Sequence, residues 1–334
     1  MTPVHRRRGA SLAARFVAAL LVAALALVAL TLAACGSSSS NDATGSGSSP
    51  AAAAPITVTD DADQTVTLER PSARVVSIAP ANTEIAFALG AGDKVVGVTT
   101  YCDYPAEAAS IAKIGDFSNP SVEKIVALEP DLVLVAGGIQ ESFRAKLEKL
   151  GIAVYMADPT TLDELYADLQ ELGDLMGVSA NASATVDDMK QQVADVEEKV
   201  AEAETPKVFM EIYGKPLMTA GAGTFIDDLI TKAGGVNVGA TAGEGFPEYN
   251  AEKLIEADPA VYVAVKGAQS DPGAIAERPG YDQMTAVTNG AVYVIDDNLV
   301  TRPGPRLVLG LQQLAQMIHP EVFGTPSPEG SPAP

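Results

Sequence analysis

SVEKIVALEPDLVLV, residues 121–135, and NAEKLIEADPAVYVA, residues 250–264, are one pattern written twice, 129 positions apart. Each copy starts with a helix-capping residue (Ser121, Asn250) and places Glu-Lys in the first turn (Glu123-Lys124, Glu252-Lys253). Each then runs through a short apolar helix to an acid and a proline (Glu129-Pro130, Asp258-Pro259) and ends in a Val-rich strand. A capping side chain accepts N–H groups that a helix leaves free, and proline cannot continue a helix. The spacing therefore predicts helix then strand in both places, and a repeated unit of this kind predicts two similar lobes built one after the other.

Outward from the repeat, the chain divides by composition. His5-Arg6-Arg7-Arg8 gives a basic start and Phe16–Ala34 an apolar run of 19 residues, ending Leu32-Ala33-Ala34-Cys35-Gly36. This matches a bacterial lipoprotein signal: residues 1–34 are expected to be removed, Cys35 lipidated, and 35–55 to act as a flexible Ser/Gly/Ala tether. Lipid on Cys35 would be the only membrane attachment, leaving the body on the outer face of the cytoplasmic membrane. The first lobe is expected over 56–178, opening with a hairpin (56–71) around Asp60-Asp61-Ala62-Asp63. Short apolar strands alternating with helices follow, the signature of a parallel, helix-covered sheet. Residues 179–205 connect the lobes, with a helix over 183–204 whose Val186, Met189, Val193, Val196 and Val200 form one apolar stripe. At about 1.5 Å per residue such a helix reaches along both lobes. The second lobe is expected over 206–323, and 324–334 reads as a disordered tail.

Charge and composition exclude several functions. Net charge is −21, which disfavours nucleic acid as a partner. Two cysteines and two histidines, the latter near the termini, leave little from which to build a disulfide framework, a metal site or a His-based triad. No catalytic and no metal residues are assigned, and no cofactor is expected. Ligands of parallel α/β sheets sit beyond the carboxyl ends of the strands, where Asn82, Tyr101 and Phe117 fall. With 9 Tyr, 8 Phe and no Trp, aromatic residues in such loops suit ligand stacking. Phe246 precedes Glu252 by six residues, as Phe117 precedes Glu123. Arg302, between Thr301 and Pro303, is a candidate polar contact. The matched glutamates suit a two-fold symmetric basic partner.

RVVSIAPANTEIAFALG (74–90), VGVTTYCDYPAEA (96–108), SVEKIVALEPDLVLV (121–135), TAGAGTFIDDLITKAGGVNV (219–238) and AEKLIEADPAVYV (251–263) together resemble the substrate-binding proteins of ABC importers for vitamin B12 and iron-siderophores. The resemblance covers about residues 56–320 and is greatest to the cobalamin-binding branch. It implies two α/β lobes joined by one long rigid helix, with the ligand in the cleft between them and little closure. It implies cobalamin or a related corrinoid as ligand, with a ferric siderophore or haem as the alternative. Asn82, Tyr101, Phe117, Phe246 and Arg302 would contact the ligand. Tryptophans of that branch are matched here by Phe117 and Phe246. Glu123 and Glu252 would dock a monomer onto arginines of a dimeric permease. A surface α/β enzyme and a structural surface protein are the readings from other classes.

Overall fold

The computed structural model describes residues 54–266 and 275–326. The expected signal segment, the expected lipidation site Cys35, nearly all of the expected tether and the last residues of the tail lie outside the described residues. Among the described residues, no helix is long and apolar enough to cross a membrane.

Strands β1 (Ile56–Thr59) and β2 (Thr65–Leu68) form the antiparallel hairpin. The turn is built by Asp60, whose Oδ1 accepts the N–H groups of Ala62 and Gln64, each at 3.1 Å. The first lobe then takes β3 (Val75–Ser77), helix α1 (Pro80–Ala88), β4 (Val95–Val98), α2 (Val122–Ala127), β5 (Leu132–Val135), α3 (Glu141–Glu148), β6 (Ala153–Met156) and α4 (Leu162–Met176). Its four strands are all parallel, in the order β4-β3-β5-β6. Helix α5 (Ser179–Val200) leads to the second lobe: β7 (Lys207–Gly214), β8 (Leu217–Thr219), α6 (Phe225–Lys232), β9 (Val236–Asn237), α7 (Ala251–Ala257), β10 (Val261–Lys266), α8 (Thr285–Thr288), β11 (Val292–Asp296), α9 (Leu307–Ile318) and α10 (Pro320–Phe323). Strands β9, β7, β10 and β11 pair in parallel in that order, repeating the first lobe's arrangement; β8 adds an antiparallel edge to β7.

Period-2 side-chain alternation assigns the two faces of each sheet. Leu132 and Leu134 of β5, and Val261, Val263 and Val265 of β10, face one core that runs through both lobes. Val133 and Val135 face a second cluster on the outside of the first lobe, and Tyr262 and Ala264 a third on the outside of the second. Burial on both faces is why these strands read as unbroken apolar runs. Helix α5 contributes Ala182, Val186, Met189, Val193 and Val196 to the shared core. It begins four residues before the expected Ser183 and ends at Val200. Gly177, left-handed at φ 69°, closes α4, and the chain re-enters a helix at once; Asn181 Nδ2 then caps α1 by donating to Leu89 O at 3.0 Å.

The repeat is conserved down to its backbone. Ser121 Oγ accepts the N–H of Lys124 at 3.3 Å and Asn250 Oδ1 that of Lys253 at 3.0 Å. At the other end, Glu129 and Asp258 are both left-handed at φ 47°, turning the chain from helix into strand.

Candidate functional site

A cavity of about 500 Å³ lies between the lobes at the carboxyl ends of the first lobe's strands. Each strand leads to it: Asn82, in the first turn of α1, follows β3, while Tyr101 follows β4, Gly137 follows β5 and Asp158 follows β6 on loops. Phe117, on the loop before α2, completes this wall, while Phe225 and the Thr301–Pro303 loop close it from the second lobe.

Four of the five expected ligand residues line it together: Asn82, Tyr101, Phe117 and Arg302. Tyr101 is 59% exposed, so its ring is available to a ligand. Phe117 sits on a tight turn in which Asp116 Oδ1 accepts the N–H of Ser118 at 2.9 Å and of Asn119 at 2.6 Å. Asn82 is 1% exposed and its amide donates to Val135 O at 2.9 Å, so it braces α1 against β5 as well as lining the wall. Phe246 is 44% exposed and does not line this cavity. Its loop is pinned to the turn after β8 by bonds from Gly221 N–H to Gly245 O (2.7 Å) and from Ala222 N–H to Gly243 O (2.8 Å). Phe225, the first residue of α6, supplies the aromatic wall on that side instead.

Arg302 is already engaged. Its Nη1 lies 3.0 Å from Glu84 Oε1 and 2.7 Å from Asp103 Oδ1. Burial alone would lower the pKa of its guanidinium, but Asp103 and Glu84 hold it above the usual value. The hydrogen bond from Arg302 holds the Asp103 carboxyl below the usual range against its burial. Arg306 adds two further bonds to the buried Glu84, at 2.8 and 2.6 Å, and stacks on Tyr104 at 3.9 Å. Glu84, Asp103 and Tyr104 belong to the first lobe and both arginines to the second, so this network ties the lobes together beside the cavity.

Gln140 is the residue that sequence reasoning missed. Wholly buried, it donates to Ile78 O (2.7 Å) and Phe117 O (3.0 Å) and accepts from Ala136 N–H (2.8 Å), knitting three cavity loops. Among the described residues no cluster of His, Cys, Asp and Glu is arranged to hold a metal ion. Glu123 and Glu252 are exposed in the first turns of α2 and α7, one on each lobe.

A parallel-sheet lobe pair on one long helix, with a cavity at the strand ends, is the architecture of a binding protein. Residues 75–299 match the periplasmic binding protein family, and the chain belongs to that family. It is 34% identical over 277 residues to an uncharacterized ABC transporter substrate-binding lipoprotein, YvrC, of Bacillus subtilis (strain 168), covering 80% of this chain and 87% of that protein. Among solved structures it resembles the periplasmic vitamin B12 binding protein BtuF of Vibrio cholerae, with TM-score 0.66 and 28% identity, covering 74% of this chain and 97% of that one. The periplasmic heme-binding protein RhuT of Roseiflexus sp. RS-1 is similar too, with TM-score 0.66 and 27% identity, covering 74% of this chain and 98% of that one. The chain is thus a substrate-binding protein of the ABC-transporter class, and its relatives are binding proteins rather than enzymes.

Proposed function

We propose that this protein is the extracytoplasmic, lipid-anchored binding component of an ABC importer and that it carries cobalamin or a related corrinoid between its lobes. The observation that carries the ligand assignment is the interlobe cavity, where Tyr101 and Phe117 face Phe225 and Arg302 across the lobes. Flat aromatic walls with few polar groups suit a large macrocycle. The similarity to a vitamin B12 binding protein supports the same ligand. Cys35 anchors the chain, and Glu123 and Glu252 contact the permease. A ferric siderophore or haem is the second reading. It is favoured by the exposed Tyr101, since a phenolate can ligate ferric iron.

Titration of the purified full-length protein with cyanocobalamin, a ferric siderophore and haemin separates the two, followed by calorimetry and tyrosine fluorescence. Micromolar or tighter binding of cyanocobalamin is expected. Silence toward every corrinoid would sink the first reading, and a response to the iron ligands would install the second.

A further inference from the structure

Among the described residues, the charged side chains that line the interlobe cavity are Arg302 and Asp158. Arg302 shares its charge with Glu84 and Asp103, so the one cation of the cavity is already balanced. Asp158 is not. Among the described residues no Lys, Arg or His lies within ion-pair distance of it. Its carboxylate is laid flat on the backbone of Gly137: a Cβ there would stand 1.9 Å from Oδ2 and 2.8 Å from Oδ1. Only glycine at 137 permits this placement. The loop that carries Asp158 is fixed as well, by Ala157 N–H to Val135 O at 3.0 Å and by the Asp158 N–H donating to Asp61 Oδ2. Burial raises the Asp158 carboxyl, the Gly137 N–H lowers it, and Glu141 raises it further. The amino end of α1 lines the same cavity, and a helix amino end favours an anion.

We infer that Asp158 is a specificity-determining residue: its carboxylate accepts N–H groups from an uncharged, amide-bearing ligand and repels ligands that present carboxylates. This rests on the interlobe cavity being the ligand site and deepens the corrinoid reading by naming the chemistry that is selected. A ligand decorated with carboxamides offers such donors around its rim. A hydrogen bond to a charged acceptor contributes roughly ten- to a hundredfold in affinity, and a carboxylate at the same place loses it and adds repulsion. The protein's net charge of −21 acts in the same direction at longer range.

The test compares cyanocobalamin with cyanocobalamin monocarboxylic acids, in which one side-chain amide is hydrolysed to a carboxylic acid and the rest of the molecule is kept, on wild type, Asp158→Asn and Asp158→Ala. Wild type is expected to prefer the amide form. Both variants should weaken cyanocobalamin about tenfold and narrow the preference at least as much. Asp158→Asn keeps a side-chain oxygen for the Gly137 N–H, so its melting temperature should match wild type. An unchanged ratio in both variants, or a wild type that prefers the acid, overturns the inference. If wild type binds no corrinoid, the ligand assignment has failed and the inference is decided on siderophores. A neutral ferric hydroxamate must then bind more tightly than an anionic ferric catecholate, with the difference shrinking in Asp158→Ala; any other result overturns it.

Discussion

At the scale of single residues, the cavity is held by polar side chains that look ordinary in sequence. Gln140 sits in GGIQESFR and reads as the start of a surface helix; only the convergence of three loops buries it. That Asn82, Tyr101 and Phe117 would line a cleft was readable from the strand pattern, which puts them at the carboxyl ends, whereas Arg302 was readable only as a candidate polar contact and through the family resemblance. Asp158 and Gly137 were not legible, since their meaning is a contact across two loops. Nor was the acid pair under the hairpin. Asp168 is 2% exposed, accepts the Tyr155 hydroxyl at 2.7 Å, and is pushed up to about 8 by burial and then by the charge of Asp61. Its folded pKa lies above the unfolded value of 3.8, so stability is fullest below 3.8 and is lost as pH rises toward about 8. Asp168→Asn removes that loss at a cost of at most about 1.4 kcal/mol per pH unit to the wild type. Melting curves taken across this range should show the variant gaining on wild type with each step upward. Parallel curves would mean that Asp168 is ionised throughout.

At the scale of elements, the duplicated unit was legible down to its helix caps, because capping and proline chemistry are local. What local chemistry does not reveal is that the two left-handed residues are supported differently. Asp258 Oδ1 and Oδ2 accept the N–H and hydroxyl of Thr285, at 2.7 and 2.8 Å, and so tie α7 to α8. Glu129 has no such bond from its side chain among the described residues, although Arg74 donates to its carbonyl at 3.1 Å. The same substitution should therefore have opposite signs. Glu129→Gly relieves left-handed strain and should raise stability by up to about 1 kcal/mol. Asp258→Gly relieves the same strain but deletes the cap, for a net loss of about 1 kcal/mol. Urea titrations of both variants check this, and a gain in each would mean that the Thr285 bonds contribute nothing. The start of α5 escaped the sequence for a related reason. Its first turn, Ser179–Ala182, carries only one buried residue, so the apolar stripe becomes visible a turn too late.

At the scale of the whole molecule, the two lobes share one core through α5 and are tied again by the Glu84, Arg302 and Arg306 network. A body held this way presents Glu123 and Glu252 at a nearly fixed separation, which suits a two-fold symmetric permease surface. In cells, Glu123→Ala with Glu252→Ala should abolish uptake while the purified double variant keeps wild-type ligand affinity. Persistent uptake would leave the two carboxylates as helix-dipole partners only. The hairpin at the start of the fold has a mechanical meaning. Any pull on the chain before Ile56 reaches the body at the open end of β1–β2, where Ile56 pairs with Leu68, and separates the strands one rung at a time. Four rungs on, it meets Asp60, gripped at Oδ2 by Arg144 at 2.5 Å and by Met156 N–H at 3.0 Å. If the chain is anchored through Cys35 as proposed, the hairpin is a short length of slack with a stop at its end, and tension opens it before the cavity between the lobes feels the force.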